Sequence, residues 1–178
     1  MRTTLRLAAA LMVVMLAAGS GAGGQSGVDA AAARAAFERF TSLAGEWEGK
    51  SSAGWTGVNT YTVIARGSAV LGTSKHGAHP GEDEAMATVH HLDGERLLLT
   101  HYCVARNQPR LVATKIDHGG RRIEFTFLDG TNLPSRNAGH MDRAVFDFQD
   151  HDRFTSRWTW YQDGQQRWME EITYTRRR

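Results

Sequence analysis

The sequence predicts an all-β fold: an antiparallel, up-and-down barrel of about ten strands preceded by one short helix. Three observations carry this expectation. Glu46-Trp47-Glu48 and nine later segments alternate at period two or are rich in Val, Ile, Thr and aromatics. Asp93-Gly94, Gly119-Gly120 and Asp163-Gly164 punctuate several of them as hairpin turns. Helical periodicity does not return after residue 44, and a long series of short strands leaves free edges unless the sheet closes on itself.

Taken in order, residues 1–22 form a compositional block of their own. Arg2 and Arg6 precede the apolar run 7–18, and small residues follow. This is the layout of a secretory signal peptide, with an apolar stretch too short to span a bilayer. A flexible linker is expected over 23–28, and a single domain over 29–178. Asp29 can cap a helix whose Ala-rich run carries Phe37, Phe40 and Leu43 at three-residue spacing. Gly45 suits the exit from that helix. The nine later strands are expected near 57–65, 68–76, 84–92, 95–105, 110–117, 121–129, 140–149, 153–161 and 166–175.

Removal of residues 1–22 takes away two Arg and no acid, so the 21 basic and 19 acidic groups of the whole chain become 19 of each. A domain near neutrality gives no electrostatic reason to expect nucleic acid or anionic lipid as a partner. Once such a leader is cleaved, no stable membrane insertion is expected, and the location implied is periplasmic or extracellular. The single Cys103 excludes an internal disulfide framework. The composition does not address oligomeric state.

The candidate site follows from strand alternation. A two-residue Asp93-Gly94 turn sets Leu92 opposite Glu95, Met86 opposite His101 and Glu84 opposite Cys103. One face then holds Glu84, Met86, Thr88, His90, Leu97, Leu99, His101 and Cys103, and we take it as the inner one because Cys is usually buried. With Asp163-Gly164 as the next turn, Phe154, Ser156, Trp158 and Trp160 share a face with Arg167 and Met169, while Arg157 pairs with Glu170 in solvent. Further interior candidates are Phe125 and Phe127, and His140, Asp142, Ala144, Phe146 and Phe148.

Gly45-x-Trp47 on the first of about ten meandering strands, after a short helix, resembles the calycin superfamily of lipocalins, fatty-acid-binding proteins and nitrobindin-like barrels. The resemblance implies that Trp47 plugs one end of the barrel, with Arg167 or Arg176 lying across it. The His-bearing C-terminal segment that ligates haem in nitrobindin-like proteins has no counterpart after His151. The segments His101-Tyr102-Cys103, Asn107-Gln108-Pro109-Arg110, Thr131-Asn132 and Gly139-His140-Met141 are similar to a pattern in secreted bacterial calycin-like proteins, which implies a fold rather than an activity.

The reading that follows is a binding protein for a small apolar or amphipathic ligand. Its lumen would be lined by Glu84, Met86, His101, Cys103, Phe125, Phe127, His140, Trp158 and Trp160. Asn107, Gln108, Arg110 and Asn132 would form a rim able to grip an anionic group, although loop residues of these types are also ordinary turn formers. The loop 130–139 is a candidate lid. No cofactor or metal is predicted and no catalytic residue is assigned. The alternative is an enzyme, metal or haem protein built on His101, Cys103, Glu84 and His140, for which the residue types are suitable but no spacing motif is present.

Overall fold

The computed structural model describes residues 28–76 and 85–178. Helix α1 (Ala30–Thr41) begins where the Asp29 carboxylate accepts from the backbone N–H of Ala31 and Ala32, at 2.6 and 3.1 Å. That cap satisfies two of the donors every helix leaves open. Ala33, Ala36, Phe37 and Phe40 make its buried stripe.

Ten strands follow: β1 (Gly45–Ser51), β2 (Thr56–Ile64), β3 (Ala69–His76), β4 (Ala85–Asp93), β5 (Arg96–Tyr102), β6 (Gln108–Ile116), β7 (Arg122–Thr131), β8 (His140–Phe148), β9 (Arg153–Gln162) and β10 (Gln165–Arg176). Each pairs antiparallel with its neighbours in sequence, and β1 pairs with β10 to close the barrel. Closure satisfies the backbone groups that an open sheet would leave at its edges. The strand ends fall within three residues of those predicted from alternation. Among the described residues no helix is long and apolar enough to cross a membrane. The block 1–22 and the linker 23–27 lie outside the described residues, as does Glu84.

The two ends of the barrel differ. At one, α1 lays Phe40 into the lumen, where its ring stacks on His90 at 4.0 Å and meets Phe146 and Phe148 edge-on at 5.0 and 5.7 Å. Gly120, in the β6–β7 turn, sits under the helix; a Cβ there would come within 3.1 Å of the Ala36 backbone. Trp47 is fully buried at this end and donates to the Leu43 carbonyl at 2.7 Å. The Arg176 guanidinium lies 4.2 Å over its ring and donates to the carbonyls of Ser42, Ala44 and His151. Arg176, not Arg167, therefore crosses the tryptophan. The opposite end carries the β1–β2, β3–β4, β5–β6, β7–β8 and β9–β10 connections.

Register departs from expectation in three places. The β4–β5 turn uses Gly94-Glu95, with Gly94 at positive φ and Asp93 paired to Arg96, so the ladder slides by two residues and Thr88 rather than Met86 faces His101. A slide of two preserves faces. His90, Leu97, Leu99 and His101 are accordingly buried. In β10 the register shifts between Gln166 and Trp168, leaving Arg167 as an extra residue. That bulge inverts the strand's alternation. Trp168 takes the place opposite Trp160, Met169 turns out to solvent, Glu171 pairs with Arg157 at 2.8 Å, and Glu170 moves inward. In β8 a shift between Met141 and Arg143 likewise turns Met141 inward and leaves Asp142 aside. Bulges change which side chains a strand aims at a site.

Candidate functional site

Most of the lumen is filled by the chain's own aromatics, but a cavity of about 60 Å³ remains towards the end away from α1. To its lining β2 contributes Asn59 and Tyr61, β3 Ser74, β4 Met86, Thr88 and His90, and β5 His101. Across the lumen, β8 contributes Met141, β9 Ser156 and Trp158, and β10 Glu170, Ile172 and Tyr174. Gly72 of β3 leaves room for Tyr61, since a Cβ at that position would stand 2.9 Å from the Tyr61 ring. The volume suits a ligand of a few non-hydrogen atoms and is far below the roughly 300–1,000 Å³ of drug-sized sites. A porphyrin would require the aromatic core to be displaced.

Two polar groupings face each other across this space. On one side Asn59 stands beside the hydroxyls of Tyr61 and Tyr174, and Ser156 beside that of Tyr174. Ser156 Oγ in turn accepts from Trp158 Nε1 at 3.1 Å. Burial raises both tyrosine hydroxyls well above their ordinary value, so they stay protonated and available as donors. The Asn59 Oδ1 is buried with no partner among the described residues. On the other side Thr88 Oγ1 and His101 Nδ1 are 2.9 Å apart, and the His101 ring packs on Trp158 at 5.0 Å. Glu170 closes the set: its Oε1 accepts from Trp55 Nε1 at 2.6 Å and from Ser51 Oγ.

Deeper in, His90 lies between Phe40 and Phe146. Burial lowers its pKa to about 3, only partly offset by the Val70 backbone across the ladder, so the ring is neutral under ordinary conditions.

Of the residues picked from the sequence, Met86, His101 and Trp158 line the cavity. Phe125 is buried towards α1, 6.1 Å from Phe40. Trp160 stacks flat on Trp168 at 5.7 Å nearer the mouth. Cys103 follows β5, its amide bonded to the Asn107 carbonyl, and burial raises its thiol pKa, the reverse of an activated thiolate. His140 and Phe127 belong to a separate cluster held by Arg136 from the loop after β7. Arg136 covers the rings of Phe127 and Tyr161 at 4.4 and 4.2 Å, donates to His140 Nε2 at 2.6 Å and pairs with Asp142. That loop is thus fastened to the wall. Among the described residues no group of three or more His, Cys, Asp or Glu is placed to hold a metal.

The rim residues are likewise engaged with one another. Arg110 pairs with Asp129, Gln108 Oε1 accepts from Thr131 and Asn132, and Asn107 Nδ2 donates to the Gly139 carbonyl. A larger groove of about 350 Å³ lies outside the barrel beside α1, where Arg39 donates to the Gly119 carbonyl and Asp150 pairs with Arg153.

The sequence reading missed Asn59, Tyr61, Glu170 and Tyr174. Alternation from Trp47 through the β1–β2 pairing brings Asn59 opposite Trp47 and would have marked Asn59 and Tyr61 as inward. Nothing local announces the bulge that admits Glu170.

Among solved structures, a protein of unknown function from the DUF3598 family of Nostoc punctiforme has a similar fold. Its TM-score is 0.53 at 11% identity, over 78% of this chain and 49% of that one. The present chain spans about half the length of that neighbour, and a likeness at this identity concerns the fold alone. No protein-family model matches the chain, and no curated protein does.

Proposed function

We propose that this barrel binds a small, partly apolar molecule in its lumen, and that the chain is a calycin-like protein exported to the periplasm or the cell exterior. The observation that carries the binding reading is the cavity itself. In a lumen otherwise packed with aromatics, nine polar side chains, Ser74 and His90 among them, converge on one small space instead of being replaced by apolar ones. Buried polar groups are costly unless they are satisfied, so their concentration around a void points to a guest that completes them. Export is supported by the basic, apolar and small-residue layout of 1–22. The calycin kinship is supported by the Trp47–Arg176 stack at the helix end.

A fragment screen of the isotope-labelled protein by NMR tests the binding reading. Saturable shifts are expected at the Met86 and Met141 methyls, with smaller ones at Phe125 and Phe148 near α1. A screen of several hundred fragments that never moves the two methionines overturns it. For export, expression in a bacterial host followed by mass analysis is expected to recover the protein in the periplasm or medium, shortened near residue 22. Retention in the cytoplasm with residues 1–22 intact overturns that part.

A further inference from the structure

The charge balance of the cavity narrows the ligand class. Glu170 is the one carboxylate among its lining residues, and none of them is Lys or Arg. Among the described residues no cation lies within ion-pair distance of Glu170, whereas its neighbour Glu171 is paired with Arg157 on the outer face. The Arg167 bulge produces this difference, because an unbulged β10 would have set Glu170 outside and Met169 within. The carboxylate is fixed rather than loose, its Oε1 held by Trp55 and Ser51. Around it stand the rings of Tyr61, Tyr174 and Trp158, whose negative faces attract cations. A half-buried carboxylate that faces this space with no counter-ion is a ready partner for a cation.

We propose that the lumenal cavity is selective for a small organic cation, an amine or methylated ammonium of a few non-hydrogen atoms, with Glu170 as its counter-ion and the surrounding aromatic rings as its walls. This rests on the binding reading given above and adds the charge of the guest. The volume limits the cation to about the size of trimethylammonium. Larger aliphatic chains would meet Met86 and Met141.

Titration of the purified protein at mildly alkaline pH, followed by Trp emission and by melting temperature, uses three probes of similar shape: trimethylammonium, neutral tert-butanol and anionic pivalate. Saturable binding is expected for trimethylammonium, about tenfold or more tighter than for tert-butanol, with none for pivalate. Glu170→Gln keeps an acceptor for Trp55 and Ser51 and is expected to remove the preference for the cation, whereas Glu171→Gln, on the outer face, leaves it intact. Circular dichroism of both variants establishes that they are folded. If Glu170→Gln does not fold, Tyr174→Phe serves instead, with a weaker loss expected for the cation than for tert-butanol, since it keeps the ring but removes a hydroxyl. Equal binding of cation and alcohol, unchanged in either variant, overturns the charge assignment and leaves the cavity reading standing. Failure of all three probes, together with silent Met86 and Met141 methyls in the fragment screen, overturns both.

Discussion

His90 sits where pH acts on the fold. Its ring stacks on Phe40 and has Phe125 and Phe146 as further neighbours, and burial holds its pKa at about 3 against an ordinary 6.5. The unfolded chain therefore binds a proton at this position between about pH 6.5 and pH 3 while the folded chain does not. Because the unfolded state carries more protons in that window, stability is highest above it and is lost as pH falls through it, by about 1.4 kcal/mol per unit for this one group. His90→Phe keeps the stack and removes the titration. Its denaturant midpoint is expected to fall less steeply than that of the wild type between pH 6.5 and 4, and superimposable pH profiles would sink the assignment. Arg176 supports a second prediction at this scale. Its planar head covers Trp47 and reaches three backbone carbonyls, a combination Lys cannot reproduce. Arg176→Lys should cost about 1–2 kcal/mol in chemical denaturation. A cost comparable to that of the exposed Arg178→Lys would contradict it.

At the scale of the element, β10 shows what alternation can and cannot foretell. Its place as the last strand, its hairpin with β9 and its pairing with β1 all follow from period-two patterning and from Asp163-Gly164. The inversion at Arg167 does not, because a bulge adds one residue without changing the local composition. Expectations on the near side of Arg167 therefore held, and those beyond it reversed: Met169 lies outside and Glu170 within. The same happened in β8, where Asp142 gave way to Met141. In the β4–β5 hairpin the error was a slide of two, which period-two patterning forgives, and His101 kept its face. Asn59 and Tyr61 were legible in principle through their pairing with β1, whereas Glu170 was not. The bulge yields a specific expectation. Deleting Arg167 leaves Gln166 opposite Tyr161 and Trp168 opposite Trp160, so the inward set from Glu170 onward is retained. The deletion forfeits only exposed contacts to Gln162 and Asp163, at about 1 kcal/mol or less. A melting temperature near the wild type's is expected, with Glu170 still lumenal by crystallography. Collapse of the fold would mean that the bulge supplies twist the barrel needs, and that its role is not limited to aiming side chains.

For the whole molecule, the arrangement is a barrel filled from one end and hollow towards the other. The helix makes that division. Phe40 is fully buried within van der Waals reach of rings from β4, β7 and β8, and it occupies lumen that a ligand would otherwise share. Removing it tests the partition directly. Phe40→Ala should cost about 3–5 kcal/mol, the usual loss for an aromatic deleted from a packed core, against a stability of roughly 5–15 kcal/mol for domains of this kind. The variant is thus expected to fold but to melt well below the wild type. Its new void would be lined by the faces of His90, Phe125, Phe146 and Phe148, and a largely aromatic void of that kind accepts small aromatics. Benzene should therefore raise the melting temperature of Phe40→Ala and leave that of the wild type unchanged, because the wild-type cavity of about 60 Å³ is too small for the ring. Stabilisation of both proteins by benzene would mean that the lumen is continuous past Phe40, and the division into a packed half and a hollow half would fall with it.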